Sequence, residues 1–275
     1  MLYEFLQPQL CKSAKLEDIE PRNKVVEFKV DGERSIFFID FEKNYLRIQN
    51  RYIFDKTYVY PEFGLNFLAG VLKCKSVILD GEIVGRSFNE VAMRTHLTDK
   101  FKICFLSKNM PLKFLAFDIL YLDGESLVDL KLKDRKEILR RVIAENGLVR
   151  IIESFETEDV KRIFKTALDG GYEGIVVKDL NGKYEFDKRN WLKVKKKETE
   201  TVKVLGWNEK SGRGSYGSLK TEMGDVGLLS FANLQEFLDL VKSAGLERIW
   251  VEVEYQEKTT SGKLRFPIFK RFIVR

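Results

Sequence analysis

Histidine and cysteine are scarce: His96 stands alone, and Cys11, Cys74 and Cys104 are the only thiols in 275 residues. The cysteines are odd in number, widely separated and not spaced as metal-ligand pairs. Neither a disulfide framework nor a structural zinc site is therefore expected, and a reducing compartment, cytoplasmic or nuclear, suits them best. Long apolar runs are missing too, since nothing approaches the roughly 18 residues that a membrane span needs. The opening stretch MLYEFLQPQLCKSAKLEDIEPRNK lacks a basic region followed by an apolar core. No signal peptide and no membrane partner are expected from it.

What is present is enough chain for one large domain plus a small one, or two of similar size. Charged residues make up 33% of it, both signs are mixed, and the formal net charge is +6. That balance leans toward a polyanionic partner, provided the excess gathers around a site.

Short alternating segments rich in Val, Ile, Phe and Tyr recur from residue 24 to 195, broken by a few helical patterns. This is an α+β signature: antiparallel sheets with helices outside them. One helix is predicted over 134–145, with Asp134 and Glu137 as a capping pair and Asn146-Gly147 as the stop. A second spans 157–168, closed by Gly170-Gly171, with Val160, Ile163, Phe164, Ala167 and Leu168 as its buried stripe. The polar stretch KVKKKETET at 193–201 marks a domain boundary, giving domains 1–197 and 198–275. In the second domain TVKVLGW, SLKTEM, GLLSF, RIWVEVEYQ and LRFPIFKRFIV read as strands. One helix joins them, capped by Ser230, stopped at Gly245 and turning Leu234, Phe237, Leu238 and Val241 inward. That order suits a small Greek-key, oligonucleotide-binding barrel, the OB-fold.

The segment VVEFKVDGER, residues 25–34, reads as a strand entering a turn at Asp31-Gly32. Alternation places Glu27, Lys29 and Asp31 on one face and Val26, Phe28 and Val30 on the other. Taken alone this is an ordinary solvated ion pair. In WLKVK, residues 191–195, Trp191, Lys193 and Lys195 share a face, and two lysines aimed the same way suit a triphosphate. Glu173 heads EGIVVK, where a strand-end acid competes with a metal carboxylate. Glu82 follows Asp80-Gly81, read as a hairpin turn. Phe117 lies on a buried-looking strand, as a core aromatic or a stacking platform.

Taken in order, Lys29 with Asp31, Gly32 and Arg34, then Arg51, Asp80-Gly81-Glu82, Phe117-Asp118, Glu173-Gly174 with Lys178, and Lys193 with Lys195, resemble the motif series of the covalent nucleotidyltransferases. Their spacing is similar to that of ATP-dependent DNA ligases, and an ordered series is far more specific than one motif. The segments QNRYIFDKTYVYPE, YLDGESLVDLKLKDRKEIL and VEVEYQEKTTSGKLRFPIF carry the same resemblance, the last placing Arg265 and Arg271 in an arginine-rich barrel motif.

The resemblance implies a nucleotidyltransferase (adenylation) domain followed by an OB-fold. It implies ATP and magnesium, or manganese, as cofactors and nicked duplex DNA as the partner. Lys29 would take AMP from ATP, helped catalytically by Arg34, Lys193 and Lys195. Glu27 would read the adenine amino group, Phe117 would stack on the base, and Arg34 and Glu82 would hold the ribose. Lys178, Arg265 and Arg271 complete the nucleotide set. Glu82 and Glu173 would hold metal, and Arg51 would grip the nick phosphate.

A neutral amine at Lys29 needs desolvation or neighbouring positive charge, whereas Glu27 and Asp31 push the other way, so reactivity is expected only in the loaded site. The basic loop at 208–220 reads either as a DNA-touching flap or as a flexible hairpin turn. Two departures from the family pattern stand out. The chain ends IVR where the barrel motif often continues to an acidic and a basic residue. Lys29 also sits too near the start for the DNA-encircling domain of large ligases, so a sliding clamp or repair proteins are expected as helpers of a monomer. An RNA ligase, a GTP-using capping guanylyltransferase and a catalytically dead nucleic-acid-binding module stay open as alternatives.

Overall fold

The computed structural model describes residues 2–209, 217–227, 230–259 and 261–275. Two compact units divide the chain, Met1–Val194 and Lys195–Arg275.

The first unit begins with β1 (Cys11–Ser13), β2 (Lys24–Lys29), β3 (Glu33–Asp40) and β4 (Tyr45–Asn50). After them come α1 (Leu65–Ala69), β5 (Ser76–Val84), α2 (Phe88–Thr95), α3 (Lys100–Asn109), β6 (Lys113–Leu122) and β7 (Glu125–Ser126). It closes with α4 (Leu132–Val142), β8 (Val149–Ile151), β9 (Ser154–Glu156), α5 (Val160–Asp169), β10 (Gly174–Asp179) and β11 (Trp191–Lys195). The strands form two sheets, one ordered β1-β11-β10-β2-β9 and one ordered β4-β3-β5-β6-β7, with β8 beside β6.

Period-two alternation explains the layering, because each strand feeds two cores. On β2, Val26 and Phe28 turn outward to pack with Val160, Ile163 and Ala167 of α5. On β3, Phe37 and Ile39 turn outward to the core shared with Leu139 and Val142 of α4. The inward residues Ile36 and Phe38 meet Ile78, Phe117, Leu120, Tyr184 and Trp191 between the sheets. Full burial of such side chains contributes about 1.5–3 kcal/mol each.

Residues 2–10 bind to both sheets, and Leu2 and Leu6 join the core between them. Arg47 of β4 donates to the carbonyls of Tyr3 and Glu4, and Gln49 exchanges hydrogen bonds with Leu6 at 2.9 and 2.6 Å. The chain then pairs as β1 with β11, in the other sheet, in the register Cys11↔Trp191.

The second unit holds β12 (Glu198–Asn208), β13 (Ser218–Thr221), β14 (Gly224–Gly227), α6 (Phe231–Ala244), β15 (Ile249–Tyr255), β16 (Glu257–Lys258), β17 (Leu264–Arg265) and β18 (Ile268–Val274). Five of its strands close a barrel in the order β12-β13-β14-β18-β15. Val202, Val204, Leu219, Val226, Val251 and Val253 fill it beneath Phe237 of α6. The α+β class and the terminal OB-like barrel expected from the sequence are both present.

Several local expectations need correction. Helix α4 starts at Leu132 behind Lys131, which makes no side-chain cap, so Asp134 lies inside the first turn and is not the cap expected to pair with Glu137. Asp80-Gly81 is no turn: β5 runs unbroken through it, with a bulge against β6. Gly81 is needed for close approach, since a methyl group there would meet the Phe114 ring at 2.4 Å. Of the expected strand GLLSF, Gly227 ends β14, residues 228–229 lie outside the described residues, and Phe231 opens α6 under the cap in which Ser230 accepts from the Asn233 amide at 3.2 Å. Helix α5 starts three residues after the predicted 157, where Asp159 accepts from the Arg162 amide. The loop at 208–220 lies outside the described residues over 210–216.

Candidate active site

The nucleophile candidate arrives on β2, and its register is set by β10, where Lys29 pairs with Gly174 and Glu27 with Val176. Lys29 forms an ion pair with Glu173. Glu173 stands just before Gly174, whose φ of 149° is one that side chains rarely adopt, so glycine is required at this turn of the backbone. Burial alone would lower the Lys29 pKa, but Glu173 outweighs it, with Glu82 adding to the effect, and the net shift is upward. The acid beside Lys29 is thus Glu173, not the Glu27 that alternation suggests.

Glu27 is far from solvated: it is 2% exposed. Its two oxygens are divided between lysines. Oε1 accepts from Lys136 of α4, and Oε2 pairs with Lys178 of β10 at 2.7 Å. Burial penalises the carboxylate, yet the two ammonium groups more than compensate and hold its pKa below the ordinary value. The Lys178 ammonium also lies over the rings of Phe117 and Trp191, at 4.2 and 4.1 Å. Burial lowers the Lys178 pKa despite the help of Glu27.

Arg34 comes from β3, opposite Glu82 of β5. Its guanidinium closes a two-bond fork on Asp80 at 2.6 Å for each bond and sits 4.4 Å from the Phe117 ring centre. Asp80 is fully buried and also accepts from the Tyr184 hydroxyl at 2.6 Å. Burial pushes the Glu82 carboxyl up to about 7, against the pull of Lys29 and Arg34 and with Asp80 and Asp31 adding to the rise. Cys11 of β1 marks where these groups meet. Burial raises its thiol pKa, and Arg34, Lys178, Lys29 and Lys193 are the cations that act against it.

Within the first unit, then, Glu27, Lys29, Arg34, Glu82, Phe117, Glu173, Lys178 and Lys193 come together between the two sheets. The alternation read for WLKVK holds there, with Trp191 in the inner core and Val194 in the outer one. Arg51 lies apart on an exposed turn after β4, its guanidinium 5.9 Å from the Tyr52 ring. Lys195, Arg265 and Arg271 belong to the second unit. Lys195 donates to Gln256 at 3.3 Å, Arg265 lies over the Phe266 ring, and Arg271 of β18 donates to Glu252 of β15 at 2.9 Å.

Among the described residues no group of three or more His, Cys, Asp or Glu side chains gathers as a metal site. Two carboxylates flank Lys29, and a hard divalent ion that takes its other ligands from phosphate and water needs no more than that.

Sequence reasoning missed Arg135 and Lys136. Both lie on the buried stripe of α4 with Leu132, Leu139 and Val142, so their helical spacing was the available signal. Arg135 forms a fork on Asp118 at 2.8 and 2.9 Å, and Lys136 reaches Glu27. Tyr184 and Gln9, which brace Asp80 and Arg34, gave no comparable signal.

Residues 8–195 match the family model described as ATP dependent DNA ligase domain, and the chain belongs to that family. The chain is 31% identical over 282 residues to a DNA ligase of Methanothrix thermoacetophila, a match covering 88% of this chain and 50% of that protein. It is 32% identical over 227 residues to DNA ligase 2 of Korarchaeum cryptofilum, covering 74% and 37%. The chain thus spans half or less of the length of these two relatives. The SPbeta prophage-derived DNA ligase-like protein LigB of Bacillus subtilis is 28% identical and is matched over its whole length, across 98% of this chain. A solved structure from a structure-function analysis of Lig E DNA ligases shares the fold, with a TM-score of 0.72, 20% identity and coverage of 97% and 98%.

Proposed function

We propose that this chain is an ATP-dependent DNA ligase that seals 3′-OH/5′-phosphate nicks in duplex DNA through a lysine–AMP intermediate at Lys29. One observation carries the reading. A lysine whose proton is held by Glu173 stands among the cations Arg34, Lys178 and Lys193, in a chain of the ATP-dependent ligase family. Residues 1–197 serve as the adenylation domain and 198–275 as the OB-fold domain.

In the first step the Lys29 amine attacks the α-phosphorus of ATP. The ammonium first gives one proton to solvent; then a nitrogen–phosphorus bond forms, the bond to pyrophosphate breaks, and the second proton passes to solvent. Glu173 holds the first proton in the resting site, so drawing this carboxylate away is what frees the nucleophile. Lys193 and Lys195 meet the charge that grows on the α-phosphate. Glu27 accepts from the adenine amino group, Phe117 faces the base, and Arg34, Glu82 and Lys178 complete the pocket. Glu82 and Glu173 would hold magnesium, or manganese, which when bound neutralises the triphosphate and organises the leaving group.

AMP then passes to the 5′-phosphate, and the 3′-hydroxyl attacks to displace it. Arg51 offers the fork that matches a terminal phosphate. Arg265 and Arg271 complete the nucleotide set from the second domain. The protein works as an intracellular monomer, with a sliding clamp or repair proteins as helpers.

Incubation with labelled ATP and magnesium is expected to label the protein, and Lys29→Ala to remove the label entirely. Persistent labelling of that variant would assign the nucleophile elsewhere. Sealing of matched nicks with DNA or RNA on each side tests the substrate, and efficient sealing of RNA alone would overturn the DNA assignment.

A further inference from the structure

Lys136 has no role in the chemistry above, yet it is among the most enclosed charges in the chain, at 3% exposed. It enters from α4, and its ammonium bridges two groups 90 positions apart in sequence: the Glu27 carboxylate on β2 and, at 3.4 Å, the backbone carbonyl of Phe117 on β6. These are the acceptor and the aromatic assigned to the nucleobase. Lys136 sits behind both of them. Lys178, in contrast, lies directly over the Phe117 ring.

We propose that Lys136 is a positioning residue for nucleobase selection: it fixes the Glu27 carboxylate as a rigid, purely accepting partner, so that the site favours adenine over guanine. This rests on the ligase reading and deepens it. An ionised carboxylate has about four acceptor directions and no donor. Lys136 takes one direction on Oε1 and Lys178 is ion-paired with Oε2, which leaves acceptor capacity on both oxygens. Adenine presents an amino donor at position 6, where guanine presents a carbonyl acceptor. An acceptor-only group pairs with the first and repels the second. A protonated or swivelling carboxyl would do neither reliably, because its hydroxyl could donate to guanine. Sites built on a buried polar match reject the mismatched partner far more strongly than apolar pockets do.

The anchoring of Lys136 does not depend on the base. Its neighbour Arg135 forks onto Asp118 and donates to the Leu130 carbonyl at 2.6 Å, which pins the start of α4 to β6 beside Phe117. The helix therefore delivers its lysine to one place. The base-reading carboxylate and the backbone that carries the Phe117 ring are tied to the same ammonium.

The test uses the full chain and self-labelling kinetics with ATP and with GTP. Lys136→Met keeps much of the volume and removes the charge. It is expected to raise the KM for ATP by about tenfold or more, as for loss of a hydrogen bond to a charged group. It should change kcat much less, and narrow the ATP-to-GTP ratio of kcat/KM by a similar factor. Lys136→Arg should restore most of the ratio. Unchanged KM and ratio in Lys136→Met would overturn the proposal, and so would a fall in kcat alone with the ratio intact. Should Lys136→Met fail to fold, the double variant Glu27→Gln/Lys136→Met, which removes one charge of each sign, is measured instead. Retention of the wild-type ratio in that variant would overturn the proposal equally. A wild-type protein that takes no label from ATP would instead sink the ligase reading itself, so the two failures are distinguishable.

Discussion

Lys29 and Glu27 are two residues apart on one strand, and their surroundings send them to opposite tasks. Lys29 keeps a proton because Glu173 outweighs its burial, while Glu27 keeps its negative charge because two lysines outweigh the same penalty. Removing the Glu27 charge strands two ammonium groups in the core. Glu27→Gln is therefore expected to cost about 3–5 kcal/mol of stability, read from denaturant unfolding. Little or no loss would mean that the lysines find other partners. Glu82 behaves differently, since burial raises its pKa from 4.5 to about 7. A raised carboxyl gives stability that is full below its unfolded value and is lost as pH rises through the folded one. Wild-type protein should thus lose thermal stability relative to Glu82→Gln between pH 5 and pH 8, and parallel melting points across that range would refute the shift.

At the scale of elements, β5 carries the tightest constraint. A methyl group at Gly81 would stand 2.4 Å from the Phe114 ring and 2.6 Å from the Leu115 carbonyl, both on the neighbouring strand. Gly81→Ala is expected to destabilise by about 1–3 kcal/mol in thermal unfolding, and an unchanged midpoint would show that β6 yields freely. The same strand shows where sequence reasoning stops. Alternation and helical spacing were legible for β2, β11, α5 and α6, because those signals are local. Asp80-Gly81 looked like a turn because glycine serves both turns and close contacts, and only the partner strand decides between them. Glu27 looked solvated because Lys136 lies 109 residues away, and no local pattern encodes that meeting. Helix α4 was the exception: its stripe includes Arg135 and Lys136, and charges at core spacing are a readable sign of buried pairs.

For the molecule as a whole, the ligase reading turns a net charge of +6 and exposed cations such as Arg51 toward the duplex rather than the nucleotide. Arg51→Ala should reduce nick sealing more than self-labelling. It should also lessen the salt dependence of DNA binding by about one phosphate contact, read as the slope of log affinity against log salt. Equal loss in both assays would remove the nick-phosphate role. The leading segment has its own bearing on this. Residues 2–10 lie on Arg47 and Gln49 in one sheet and run into β1 in the other, which makes them a drawstring between the two sheets. Trimming by a protease within the first ten positions would loosen both sheets together and, once Gln9 is lost, leave Arg34 without one of its anchors.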